Sequence, residues 1–251
     1  MCRLLGYVGP PVLLDRLLLT PEYSLRRQSH APRHQDPGRI NADGWGVAWY
    51  DHDVRPEPAR YRTPKPMWAD QVFPSIGGIV STGAALAAVR NATPPALIEE
   101  SGVAPFVDGP WSFAHNGKVD GWTEGVGVQL RRGLSEQREL HVRGSADSEV
   151  LFAMTLDRLD KGADPPEALR DMLRDVLALS SGKYNVMLFD GRTVWATTCG
   201  NTLFTRDRRA SGGGVIVASE PSDDDPDWRP VPDRALVIAD ADGTVVEDLE
   251  V

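Results

Sequence analysis

Chemistry can begin at the second residue of this chain, a cysteine. A small residue after the initiator methionine favours removal of that methionine, which would leave Cys2 with a thiol and a free α-amino group. The α-amino pKa of about 7.7–8.0 lies beside the thiol's value of about 8.5, so a proton passes between them at almost no cost near neutrality. Cysteine is also the most nucleophilic common side chain under those conditions. Two readings stay open for Cys2: a nucleophile carrying its own base, or a small apolar residue opening a strand. Cys199, late in the chain, reads as core. A second constellation is His115-Asn116-Gly117. Attack on an amide creates an oxyanion, and a side-chain amide followed by a glycine N–H supplies two donors for it. The same Asn-Gly dipeptide is a common hairpin turn. His115 is open as the base of a cysteine–histidine pair or as a satisfied buried histidine, and in a strand it points away from its neighbour. A third constellation is Arg90 with Asp147. A free amino acid such as glutamine carries an α-carboxylate and an α-ammonium, so its pocket needs a cation of bidentate geometry and an anion nearby. A surface charge and a helix start account for the same two residues.

These groups need elements to hold them. Residues 2–8 form an apolar strand pattern that Gly9, Pro10 and Pro11 should end, with a helix starting near Val12. Residues 44–50 alternate glycine with Trp45, Val47 and Trp49, a strand whose small residues admit a close approach. Further strands are expected at 84–90 and 111–115. The stretches 28–40 and 53–66 are polar and proline-rich and read as surface loops, and so does the aspartate run 223–225. One helix should begin near Ser145, whose hydroxyl can cap it, with Asp147 and Glu149 in its first turn. A second follows Pro165 and Pro166, where Leu169, Met172, Leu173, Val176 and Leu177 recur at helical spacing. After Lys183 the chain reads as strands. Asp190-Gly191 joins 184–189 to 193–198, and Asp242-Gly243 joins 235–238 to 245–249, both dipeptides that type I′ hairpins favour. Strands, then a helix pair, then strands predict an α+β protein with two antiparallel sheets stacked face to face under helical cover.

The composition narrows the function. The 251 residues suffice for one core and show no repeat or linker, so a single domain over residues 2–251 is expected. Lys plus Arg number 27 against 36 Asp plus Glu, a net charge of −9 that repels phosphate backbones and anionic lipid. Neither nucleic acid nor membrane is expected as a partner. The apolar stretch at 12–19 is broken by Asp15 and Arg16, too short for a membrane span and unlike a secretory signal. Two cysteines fit a reducing cytoplasmic setting, and no thiolate-rich metal site is available. His30 and His34 lie in a loop-like stretch without four-ligand spacing. No metal and no cofactor are expected, and the oligomeric state is not legible.

In order along the chain, Cys2, Val89-Arg90 with Ala92-Thr93, His115-Asn116-Gly117, and Gly144 with Asp147-Ser148-Glu149 resemble the class II glutamine amidotransferases, members of the N-terminal nucleophile hydrolases. The resemblance implies a four-layer αββα sandwich and attack of Cys2 on a γ-glutamyl carbonyl. It assigns the oxyanion hole to Asn116 and Gly117, the substrate α-carboxylate to Arg90 assisted by Thr93, and the α-ammonium to Asp147. Two departures stand out: ammonia-producing members carry a histidine before the Val-Arg pair and an Asn-x-His-Pro-Phe segment, where this chain has Ala88 and Val103-Ala104-Pro105-Phe106. No synthase domain is expected. The opening 1–7 segment, Ala104-Pro105-Phe106 and Ser219-Glu220-Pro221 with Trp228 are similar to the branch of the family that hydrolyses small γ-glutamyl compounds. Two alternatives remain, a glutaminase subunit feeding a separate synthase and a non-catalytic glutamine-binding regulatory module. If the leaving group carries a quaternary ammonium, an aromatic face should receive it. Trp45, Trp49 and Trp111 are candidates, each also open to core packing.

Overall fold

Near-continuous apolar runs give the central strands two buried faces, and the chain satisfies them by stacking two sheets between helices. The computed structural model describes residues 2–35, 40–93 and 96–251. Met1, and Pro37 and Gly38 of the expected 28–40 loop, lie outside the described residues. The strands are β1 (Arg3–Leu13), β2 (Trp45–Trp49), β3 (Ala59–Thr63), β4 (Ser81–Val89), β5 (Phe106–Asp108), β6 (Trp111–Val119) and β7 (Gly182–Phe189). They continue as β8 (Val194–Thr197), β9 (Phe204–Asp207), β10 (Val215–Ala218), β11 (Arg229–Pro230), β12 (Ala235–Ala239) and β13 (Thr244–Asp248). The helices are α1 (Leu14–Leu18), α2 (Leu25–Gln28), α3 (Phe73–Gly77), α4 (Val126–Arg132), α5 (Glu136–Glu139), α6 (Asp147–Asp160) and α7 (Pro165–Leu179).

One sheet has the order β11-β9-β10-β1-β4-β2-β3 and the other β13-β12-β8-β7-β6-β5, with antiparallel pairing between neighbours. Period-2 alternation sorts the side chains into three apolar layers. On β1 and β4, Leu4, Val8, Leu86 and Ala88 face inward and meet Ala114, Met187, Phe189 and Val237 of the second sheet. Leu5, Tyr7, Ala87 and Val89 face outward onto Leu14, Leu18, Leu25 and Phe73 around α1, α2 and α3. On the far side Phe113, Val186 and Leu188 pack against Leu151, Met154, Leu169, Met172 and Val176 of α6 and α7. The order helix, sheet, sheet, helix is the four-layer sandwich that the resemblance implies.

Several local expectations are revised. Strand β1 does not stop at Gly9: it continues to Leu13 through an irregular register between Val8 and Val12, where Pro10 and Pro11 sit and no N–H is missed. Helix α1 therefore starts at Leu14. The 53–66 stretch contains the edge strand β3, whose Arg60 and Arg62 are charges that edges tolerate and that sequence polarity hid. The hairpins after Phe189 and Ala239 form as expected but not as type I′ turns, because neither Asp190 nor Asp242 has positive φ. Instead the Asp190 carboxylate accepts the N–H groups of Arg192 and Thr193, and Asp240 accepts those of Asp242 and Gly243. The aspartate run is not simply solvated either. Asp225 is buried against Arg206 and Arg208, while Asp223 accepts from Trp228 Nε1 at 2.8 Å.

The α6 layer is locked to its sheet by Phe113 stacked on Phe152, ring centroids 5.2 Å apart. Phe113→Ala should lower unfolding free energy by about 3–5 kcal/mol. Denaturant unfolding with unchanged slope checks this, and a loss below about 1 kcal/mol would show that the layer does not depend on the stack.

Candidate functional site

Strand register builds the site. Arg3 pairs with Val89 at the end of the β1·β4 ladder, so the register carried one residue further sets Cys2 opposite Arg90. Arg3 and Val89 belong to the outward face, which turns the alternate residues Cys2 and Arg90 inward. The backbone of Arg90 is fixed from the other side, donating its N–H to Gly44 O at 2.8 Å and accepting from the Asp43 N–H at 3.0 Å. On the second sheet Ala114 and Asn116 share the inward face, and Asn116 pairs with Asn185 of β7. His115 and Gly117 take the opposite face, toward α6. At this end of the sandwich a cavity of about 310 Å³ is walled by Cys2, Arg90, Thr93, His115, Gly117 and Asp147, among others.

The sequence-expected residues therefore gather, with one distinction. Cys2, Arg90, Thr93, Gly117 and Asp147 line the cavity, whereas Asn116 is fully buried just behind it. Both polar atoms of the Asn116 side chain, Nδ2 and Oδ1, are buried without a hydrogen-bond partner. An unpaired buried amide costs about 1–3 kcal/mol, which makes it a donor held ready for a ligand rather than a structural brace. Its backbone is pinned. Asn201 Nδ2 donates to Asn116 O at 2.8 Å, and Asn185 Oδ1 accepts the N–H groups of Cys199 and Asn201 at 2.9 and 3.1 Å. The Asn-Gly dipeptide is not a turn: it lies inside β6, which runs on to Val119. Gly117 is required there, because a Cβ would lie 1.7 Å from Lys183 O and 2.5 Å from His115 Nε2.

Neither of the two expected recognition charges has a strong counter-charge among the described residues. Arg90 is only 9% exposed, and the hydrogen bonds of its guanidinium go to carbonyl oxygens, Leu97 O at 3.1 Å and Asp43 O at 3.5 Å. It has no carboxylate partner among the described residues. Asp147 opens α6; its Oδ2 accepts the Val119 N–H at 3.0 Å, and its Oδ1 accepts from Ser148 N at 2.7 Å and Ser148 Oγ at 3.1 Å. No lysine or arginine answers it among the described residues; the basic group beside it is His115, whose Nδ1 lies 4.0 Å from Oδ1. Ser145 does not cap the helix as expected; Ala146 occupies the cap position, and the Glu149 carboxylate accepts the N–H groups of Arg143 and Gly144.

His115 is a satisfied histidine. Nε2 bonds Lys183 O at 2.9 Å, Nδ1 bonds Ser148 Oγ at 3.0 Å, and the ring stacks on Tyr184. Burial pushes the Tyr184 hydroxyl up to about 12, so it stays protonated and donates to Ser181 O at 2.9 Å. Burial likewise pushes the Cys199 thiol up, as suits a core position. Sequence reasoning missed the chain from His115 through Ser148 to Asp147, whose only signal was a serine following the aspartate. It also missed Arg3, which is fully buried, donates from Nε to Cys2 O at 2.6 Å and lies 3.9 Å from the buried Glu220. Trp45, Trp49 and Trp111 are not on the cavity wall: Trp45 and Trp49 belong to the outward layer of the first sheet, and Trp111 packs beside Trp195. Trp122 lines the cavity instead.

A family model described as glutamine amidotransferases class-II matches residues 1–215. The chain belongs to this family. γ-Glutamyl-hercynylcysteine sulfoxide hydrolase of Mycobacterium tuberculosis (strain ATCC 25618 / H37Rv) is 39% identical over 251 residues, covering 100% of this chain and 97% of that protein. The protein of the same name from Mycolicibacterium smegmatis is 39% identical over 238 residues, 94% of this chain and 95% of its own. Among solved structures, a glutamine aminotransferase class-II domain protein from Silicibacter pomeroyi superposes with a TM-score of 0.72 at 25% identity, covering 98% of this chain and 99% of that one. Glutamine phosphoribosylpyrophosphate amidotransferase from B. subtilis superposes with a TM-score of 0.67 at 18% identity, covering 99% of this chain and 49% of that one, which bears on the fold alone.

Within this class II fold, the contact made by Gly117 gives a direct test. Gly117→Ala should push β7 away from β6, break the His115–Lys183 bond and lower stability by about 2–4 kcal/mol. Thermal unfolding measures it, and an unchanged midpoint would mean that the strand pair has slack there.

Proposed function

We propose that this protein is a cofactor-free amidohydrolase that cleaves a γ-glutamyl amide through a thioester on Cys2, with γ-glutamyl-hercynylcysteine sulfoxide as its substrate. One observation carries the reading: among the described residues Arg90 has no carboxylate partner and Asp147 no lysine or arginine partner, and both share the cavity wall with Cys2. Keeping the Arg90 guanidinium buried without a counter-charge is expensive unless a ligand completes it, and an α-amino acid head group supplies a carboxylate for Arg90 and an ammonium for the partly exposed Asp147. Thr93, on the same wall, assists at the carboxylate. The substrate assignment rests on the two mycobacterial relatives, matched over nearly their full lengths. A cytoplasmic setting and a single domain from residue 2 to 251 complete the proposal; both cysteines are free.

The reaction starts once Met1 is removed and the Cys2 α-amino group is free. That amine takes the thiol proton, the sulfur attacks the γ-carbonyl carbon, and the carbonyl oxygen becomes an oxyanion. Asn116 Nδ2 and the Gly117 N–H donate to it, the first already desolvated and unpaired, so little reorganisation is needed. Collapse expels the amine, which receives the proton from the α-ammonium of Cys2, and leaves the γ-glutamyl thioester. Water, deprotonated by the same amine, attacks the thioester and releases glutamate and the thiol. Hydrolysis rather than ammonia delivery fits the small inward residues beside the site. Gly46 pairs with Ala88, and a Cβ on Gly46 would lie 2.6 Å from Ala104 O, so segment 103–105 crosses directly over the sheet where ammonia-producing members carry their extra histidine.

Cys2→Ala should abolish glutamate release while retaining glutamate binding in a calorimetric titration. Asn116→Ala should lower kcat by about 10²–10³-fold with little change in KM. Arg90→Leu should lose roughly 30- to 5000-fold in kcat/KM, the equivalent of about 2–5 kcal/mol. Full activity in a chain whose α-amino group is acetylated would overturn the mechanism. Glutamine cleaved far faster than the γ-glutamyl sulfoxide would instead identify a glutaminase subunit.

A further inference from the structure

The cavity continues beyond Cys2, Arg90 and Asp147 to a wall formed by the short turn Trp122–Glu124 and the strand end before it. The chemistry of that wall differs from the amino-acid end. Trp122 Nε1 donates to Ser145 O at 3.1 Å, which fixes the indole plane. Gly127 of α4 backs the ring, since a Cβ there would lie 3.0 Å from Trp122 Cδ2 and Cε3. The ring is thus held by a hydrogen bond and by a helix, and it borders the cavity. Two carboxylates flank it. Asp120 is answered by Lys118 Nζ at 2.5 Å, whose hydrogen bond holds that carboxyl below the usual range. Glu124 is exposed and has no basic partner among the described residues.

From this wall we infer that Trp122, with Glu124 beside it, forms a subsite for a quaternary ammonium on the leaving group. The inference rests on the amidohydrolase reading and names what lies on the far side of the scissile bond. A trimethylammonium donates no hydrogen bonds, so it is recognised by aromatic faces and by diffuse negative charge rather than by a tight ion pair. A rigid indole beside an unanswered carboxylate offers both. An anionic leaving group would meet Glu124 and gain nothing from the ring, and Lys118, the cation of this wall, is already bound to Asp120. Hercynine, the betaine of histidine, carries a trimethylammonium of this kind. The substrate proposed above therefore presents to the cavity an amino-acid head group at one end and a permanent cation at the other.

The test uses pairs of γ-glutamyl amides whose leaving amine ends either in trimethylammonium or in its uncharged isostere tert-butyl, over a graded series of spacers. The readout is the ratio of kcat/KM for the charged compound to that for the uncharged one. Wild type should favour the cation at a preferred spacer length. Trp122→Leu should lower that ratio by about 5- to 30-fold, and Trp122→Phe, which keeps a ring and the packing on α4, should lose less. Glu124→Gln should lower the ratio about 2- to 5-fold, and the effect should shrink with added salt. If Trp122→Leu and Glu124→Gln leave the ratio unchanged, or wild type shows no preference for the cation at any spacer, the subsite assignment is overturned while the hydrolase reading stands. If wild type releases glutamate from none of the pairs and from no other γ-glutamyl amide, the hydrolase reading fails and takes the subsite with it.

Discussion

The antiparallel pairing of β1 with β4 is the constraint on which the site depends. β1 pairs with β4 from Arg3 and with β10 from Leu5 to Val8, so the position of the residue before it is set by a ladder, not by a loop. Because side chains alternate, a slip of one residue would turn Leu4 and Val8 out of the inter-sheet layer and carry Cys2 away from the face it shares with Arg90. The burial of three apolar layers thus enforces the position of a chain end, which would otherwise be among the least ordered parts of a domain. A nucleophile at a terminus is precise here because the terminus is the start of a central strand.

Charge burial is arranged in two grades around that end. Arg3 and Glu220 are both buried and face each other on the outward side, where Arg3 grips the Cys2 carbonyl and Glu220 Oε2 accepts the N–H groups of Arg33 and His34 at 2.7 and 2.9 Å. At 3.9 Å the pair gains modestly from attraction and is worth more as a brace than as a source of stability. Arg90 and Asp147 are a different case: among the described residues Arg90 is anchored by carbonyl oxygens, and Asp147 by N–H groups and the Ser148 hydroxyl with His115 Nδ1 4.0 Å away. The unpaired Asn116 side chain belongs to the same pattern: its main chain is tied down by Asn201 while its amide is left open.

Much of this was legible in the sequence, and the remainder was hidden for identifiable reasons. Cys2, Arg90, Gly117 and Asp147, which the sequence picked out by type and order, come together on one cavity, with Asn116 buried next to Gly117. The α6 and α7 pair, the DG-linked hairpins and the stacking of two sheets follow from periodicity and cover. Asn116-Gly117 was ambiguous because a dipeptide reports local turn preference, whereas Lys183 O and His115 Nε2, which demand glycine at 117, come from distant contacts. Strand β3 was invisible because an edge strand carries charges and prolines flank it. The tryptophan that borders the cavity could not be chosen from seven by composition. Trp45 sits in a strand with the small residues a ligand would seek, yet its face of the strand is the one buried under α3, and only the three-dimensional parity of β2 shows it.

The same parity bears on why this class II domain would hydrolyse instead of passing ammonia onward. A nascent ammonia needs a dry passage away from the thioester, and a histidine preceding the Val-Arg pair would project inward beside Arg90, since residues 88 and 90 share a face. Here that place holds Ala88, packed at 3% exposure in the inter-sheet layer with Gly46 alongside, and the carbonyl of Ala104 occupies the space a side chain on Gly46 would need. The sheet is covered at that point by the backbone of Ala104. The cavity from Cys2 runs the other way, past Gly117 toward Lys118, Asp120 and Trp122, so a leaving amine and an entering water would share that side.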